Sequence, residues 1–97
     1  MDFKVNTVHF SADQKLLDYI HGKVKKLEMM ADQIIASEVY LRLDKNGEQE
    51  NKVAEVKILL PGNELFARKQ CKSFEEATDS AVHALKKQVE KYKAKMS

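Results

Sequence analysis

The residues best suited to chemistry are lysines near the end of the chain. Between residues 86 and 97 stand Lys86, Lys87, Lys91, Lys93 and Lys95, with Glu90 as the one acid among them. An ammonium on a four-carbon stem is a mobile point charge suited to phosphate oxygens. At about 100° of rotation per residue, Lys87, Lys91 and Lys95 fall on one side of a helix's polar face. Lys86 and Lys93 fall on the other, with Glu90 between them. Cations in a last helical turn offset the dipole there, but that effect does not reach back three turns to Lys86 and Lys87. Pattern alone therefore leaves two readings of these lysines, phosphate binding and an ordinary solvated face.

Other chemistry finds little support. His9, His21 and His83 are scattered without metal-ligand spacing, and Cys71 is the single cysteine, too few thiols for a recognisable zinc pattern. The sequence holds no P-loop, dinucleotide fingerprint or nucleophile elbow. Glu75 and Glu76 sit where a helix begins, and acids there complement the dipole. The expectation is a protein that is not an enzyme and takes no metal, cofactor or small-molecule substrate.

Composition narrows the setting. Ninety-seven residues suit a single domain, here 1–97, around one modest core. One cysteine excludes an internal disulfide and fits a reducing compartment. No apolar run reaches the roughly 18 to 20 residues of a membrane span. The start, Met1-Asp2-Phe3-Lys4, has neither the basic nor the apolar region of a signal peptide. A cytoplasmic protein with no membrane partner is expected. The formal charge of +2 is unevenly spread, with +2 on residues 15–28, +4 on 86–97 and −4 on the remainder. A field this small overall acts locally, within a Debye length of about 8 Å at physiological salt.

The elements that must position these charges follow from periodicity. Phe3, Val5 and Thr7 alternate with polar neighbours as in a half-buried strand. Ser11-Ala12-Asp13-Gln14 reads as a capping box opening a helix. Leu16, Leu17, Ile20, Val24 and Leu27 share one face of it, Lys15, Lys25 and Lys26 the far side, and Lys23 the edge. Met29, Met30 and Ala31 are expected to close that helix against a sheet. Three strands follow: Ile35–Asp44 with Val39, Leu41 and Leu43 on one side, Lys52–Leu60 with Ala54, Val56, Ile58 and Leu60 inward, and Glu64–Cys71 with Leu65, Ala67 and Cys71 inward. Asn46-Gly47 and Pro61-Gly62-Asn63 mark the turns between them. Ser73-Phe74-Glu75-Glu76 is a second capping box, and from it one long helix runs to the end. Phe74, Thr78, Ala81, Val82, Leu85, Val89 and Tyr92 form its apolar stripe.

The predicted order is β-α-β-β-β-α, an α+β sandwich with a four-stranded sheet. Two one-faced helices and one sheet must cover each other, so both helices belong on the same sheet face. Their basic outer sides then adjoin, and lysines from both can track a nucleic-acid backbone. The other sheet face turns Tyr40, Arg42, Lys57, Phe66 and Arg68 outward. It supports an alternative function, a protein-interaction or oligomerisation surface around Tyr40 and Phe66.

The ordered set of short motifs resembles the ribosome hibernation promoting factor family, also known as ribosome-associated inhibitor or sigma-54 modulation proteins. Lys23-Val24-Lys25-Lys26-Leu27-Glu28 is similar to the family's lysine-leucine-glutamate helix end. Ser73-Phe74-Glu75-Glu76-Ala77-Thr78-Asp79 is similar to its second helix start, and Leu85 to Lys95 to its basic closing helix. Three departures stand out. Ser73 replaces an aspartate cap, Ala84 stands where relatives can be basic, and Lys69 occupies an inward strand position usually held by a small residue. The stem of Lys69 is expected to lie along the sheet's end with its ammonium in water.

The resemblance implies a fold like a double-stranded-RNA-binding domain. It also implies a partner, the small ribosomal subunit and its rRNA, bound in the channel used by mRNA and tRNA. The implied function is inhibition of translation in idle ribosomes, as in stress responses. Lys23, Lys26, Lys87, Lys91, Lys93 and Lys95 match basic family positions; Lys86 joins them on charge. The chain reads as a short-form member without the further C-terminal domain of long forms, and as a monomer off the ribosome. Pairing ribosomes and blocking single ones both remain compatible with this reading.

Overall fold

The computed structural model describes residues 2–8, 10–44 and 50–96. Along them run β1 (Asp2–Val8), α1 (Gln14–Glu28), β2 (Ala36–Leu43), β3 (Lys52–Leu60), β4 (Asn63–Cys71) and α2 (Phe74–Met96), in the expected order. The sheet order is β1-β2-β3-β4, with β1 parallel to β2 and the other two pairs antiparallel. A parallel pair needs a long crossover, and α1 supplies it.

Both helices lie on one sheet face. Leu16, Ile20, Val24 and Leu27 of α1 join Phe74, Ala81, Val82, Leu85 and Val89 of α2 in a single buried cluster with Val39, Leu41, Val56 and Ile58 of the sheet. Ile20 and Leu85 are fully buried, each contributing about 1.5–3 kcal/mol by leaving water. Phe10 stacks on Phe74, with centroids 4.8 Å apart and planes 6° from parallel, which ties the approach to α1 to the start of α2. At the other end of α1, the buried Ser37 hydroxyl donates to Glu28 at 3.0 Å.

The caps are set by local geometry. Ser73 Oγ accepts from the Glu76 N–H at 3.1 Å, as its box predicts. The cap of α1 is Asp13, whose carboxylate accepts from the Leu16 N–H at 2.8 Å. The expected cap at Ser11 is therefore corrected. Phe10 and Ala12 pack against the core and make the segment through Ser11 an approach to the helix. A carboxylate cap also complements the helix dipole, although α1 has no acid in its first turn.

Other expectations shift at element ends. Met29 is 77% exposed; it lies about 200° around the helix from Leu27 and so points away from the sheet. Ala31 and Ile34 are the buried residues of that connection, with Met30 partly buried. Ile35 and Asp44 fall outside β2, and Leu43 at its end is exposed. Asn46 and Gly47 lie outside the described residues. The second turn is as expected. Leu60 pairs with Asn63 across Pro61-Gly62, and Gly62 has φ 69°, as the third residue of a type II turn requires.

Three substitutions test this packing and the turn. Thr78 is fully buried and its Oγ1 has no hydrogen-bond partner, so Thr78→Val should raise unfolding free energy by about 1 kcal/mol in urea titrations. A Cβ at Gly22 meets no atom within 4 Å, so Gly22→Ala should stabilise α1 by up to about 1 kcal/mol. Gly62→Ala, forced to positive φ, should destabilise; equal effects at the two glycines would contradict the turn geometry.

Candidate nucleic-acid interface

The same packing that buries the apolar stripes brings the charged edges of α1 and α2 together. On α1, Lys23 and Lys26 are three residues apart and therefore neighbours on one face. On α2, Asp79, His83, Lys86 and Lys87 follow at spacings of four, three and one. All six line one open groove of about 640 Å³, together with Lys69 of β4. Five lysines and one aspartate line it, a net +4 with His83 neutral. Three elements thus converge on one basic concavity.

Lys23 is the most constrained of these lysines. Its ammonium is 2.9 Å from Asp79 Oδ1 and 5.5 Å from the centroid of the Tyr19 ring, within cation–π range. The Asp79 hydrogen bond, reinforced by Tyr19 and by charge attraction, holds the Lys23 pKa above the ordinary lysine value. Lys23 in turn holds the Asp79 carboxyl below the ordinary carboxylate range, with His83 and Lys86 adding to the effect. The pair joins α1 to α2 and offsets repulsion among the neighbouring cations.

The remaining predicted lysines lie further along. Lys91 and Lys95 continue the row of Lys87, placing Lys95 about 12 Å beyond it at 1.5 Å per residue. Lys95 and Tyr92 line a second, smaller hollow against the Pro61–Asn63 turn and Gln33. Lys93 donates to the carbonyl of Met30 at 2.7 Å, fastening the end of α2 to the α1–β2 connection. The structure therefore brings together Lys23, Lys26, Lys86 and Lys87 of the predicted set. It sets Lys91, Lys93 and Lys95 apart on the final turns.

Lys69 lies outside the predicted set but lines the groove; strand alternation places it on the inward row, where a charge reads as a misfit. It pairs in register with Ala54 yet is exposed. A lysine on an apolar row near a strand end is itself the signal, since its stem covers apolar surface while its ammonium reaches water. His83, which has no metal-ligand spacing in the sequence, also borders the groove.

The opposite sheet face is largely engaged with itself. Glu55 pairs with Arg42 and, at 3.7 Å, with Arg68; Lys57 pairs with Glu64 at 3.8 Å. The Tyr40 hydroxyl donates to Glu38 at 2.6 Å, a bond that raises the tyrosine's pKa. Phe66 remains 47% exposed. Cross-strand pairs of this kind are ordinary sheet stabilisation.

Comparison with known proteins bears directly on a β-α-β-β-β-α chain carrying such a groove. Residues 3–97 match the family described as sigma 54 modulation protein / S30EA ribosomal protein. The chain belongs to this family. A solved ribosomal subunit interface protein from Coxiella burnetii superposes with TM-score 0.84 at 19% identity, covering 97% of this chain and 99% of that one. The N-terminal domain of Thermus thermophilus Protein Y superposes with TM-score 0.80 at 25% identity, covering 95% and 99%. No curated protein matches by sequence. The resemblance read from the motifs and the α+β fold are both borne out, in a family whose description is ribosomal rather than enzymatic. No helix among the described residues is long and apolar enough to cross a membrane.

The sign of each shift gives a pH prediction. The depressed Asp79 pKa means its contribution is complete above the ordinary carboxylate value and lost as pH falls through the lower folded one. The raised Lys23 pKa means its contribution is complete below the ordinary lysine value and lost as pH rises through the higher one. The α1–α2 ion pair should thus persist across the neutral range. In a carboxyl NMR titration, Asp79 should titrate below the ordinary value and move up towards it in Lys23→Met; an unmoved Asp79 in that variant would deny the pairing.

Proposed function

We propose that this chain binds the rRNA of the small ribosomal subunit through the basic groove and silences idle ribosomes. On this reading it lies in the channel used by mRNA and tRNA and inhibits translation by occupying it, within the cytoplasm. The observation that carries the proposal is the convergence of Lys26, Lys69, Lys86 and Lys87 from α1, β4 and α2 on one open concavity. Membership of a ribosomal family supports the partner, as does the fold shared with a protein described as a ribosomal subunit interface protein. Lysines acting as flexible point charges suit backbone and shape recognition more than base reading.

Lys91, Lys93 and Lys95 extend this contact along the end of α2 in a secondary role. Lys93, already holding the Met30 carbonyl, contributes least freely. Tyr40 and Phe66, on the far side of the sheet, take no part in rRNA binding. Off the ribosome the chain is a monomer.

Ribosome co-sedimentation through a sucrose cushion tests the site. Lys26→Glu combined with Lys87→Glu should abolish pelleting with small subunits while circular dichroism stays unchanged. Lys91→Glu with Lys95→Glu should weaken it less. With about four phosphates engaged, affinity should drop roughly 100-fold between 50 and 200 mM salt. Undiminished pelleting of the Lys26/Lys87 variant would remove the groove from the account.

A further inference from the structure

The acid in the groove needs a role of its own. Asp79 is set among cations, and any phosphate brought beside its carboxylate is repelled. Oδ1 is held by Lys23 at 2.9 Å, yet the side chain remains 59% exposed. An ionised carboxylate is an acceptor only, with about four lone-pair sites, so acceptor capacity remains beyond the bond to Lys23. Lys23, partly neutralised by this pair, offers less to phosphate than Lys26, Lys69, Lys86 or Lys87. The groove is therefore lined by cations with one fixed acceptor among them, which suits an occupant that presents a neutral donor between phosphates.

A ribose 2′-hydroxyl is such a donor. A-form RNA displays 2′-hydroxyls across its wide, shallow minor groove, flanked by phosphates, and this group distinguishes RNA from DNA. We infer that Asp79 is the groove's RNA-selecting residue, accepting a hydrogen bond from a ribose 2′-hydroxyl while the surrounding lysines hold the flanking phosphates. DNA would meet the same negative charge with no donor to offset it. The inference rests on the proposed rRNA-binding role of this groove.

The test uses the full chain and two labelled duplexes of one sequence, one RNA and one DNA. Wild type should prefer RNA. Asp79→Ala should lower the RNA-to-DNA affinity ratio about tenfold, the low end for a hydrogen bond to a charged group, chiefly by tightening on DNA. Asp79→Asn, which keeps an oxygen acceptor, should retain part of the preference. A purely structural strut between α1 and α2 would weaken both duplexes together, so an unmoved ratio in Asp79→Ala overturns the inference. Wild type that fails to discriminate, or that binds neither duplex, overturns it too. So does an unmoved ratio with weaker binding to inosine-substituted RNA, which would put a base amine at Asp79. Pelleting of the same preparations with small subunits separates the two levels. Wild type that pellets while the ratio stays put loses only the role of Asp79, whereas wild type that does not pellet loses the rRNA reading as well.

Discussion

Everything in this molecule depends on two helices sharing one face of a four-stranded sheet. Ile20, Val24 and Leu27 on one helix and Leu85 and Val89 on the other are all essentially out of water. Their apolar partners in the sheet, Val39, Leu41, Val56 and Ile58, all lie on that one face, while the opposite face carries ion pairs around Glu55. Apolar burial is non-directional, but strand order and helix periodicity are not. Once the stripes face the sheet, the outer sides of the two helices lie next to each other, and Lys23, Lys26, Lys86 and Lys87 line one groove. The charge cluster is thus a consequence of core packing, and its cost is like-charge repulsion.

Asp79 is how that cost is moderated. A single acid one turn into the last helix binds Lys23 of the first, while Tyr19 offers its ring to the same ammonium. Asp79 is exposed and Lys23 half-buried, and an ion pair this open to solvent contributes little to stability. The value of the pair lies in position. It joins the helices beside the groove and fixes one acceptor among mobile donors.

Much of this was legible in the residues. Alternation in Lys52–Leu60 and the Pro61-Gly62-Asn63 turn specified a strand and hairpin that the structure reproduces, because a buried sheet row leaves little freedom of register. The Ser73 box located the last helix. Misreadings fell at ends, where several residues compete for one job. Asp13 and Ser11 are both competent caps, and only the anchoring of Phe10 decides between them. Met29 looked like core from its type, but its angular position past Leu27 turned it to solvent. The site was legible in kind and not in membership. Periodicity marks which lysines face outward, yet it cannot say that Lys69 of a strand and Lys87 of a helix line one groove, since that groove exists only once the sheet and helix are packed. Nor could it separate Lys93, which bonds to the Met30 carbonyl, from the lysines of the groove.

The central claim is that the helical side of the molecule, and not the outer sheet face, meets ribosomal RNA. Photo-crosslinking from single positions tests it most directly, with a crosslinking residue placed at Lys87 in the groove or at Phe66 on the far face, each chain mixed with small ribosomal subunits. Crosslinks to rRNA from position 87 and none from position 66 are the predicted result. RNA crosslinks from position 66 with silence at 87 would contradict the account.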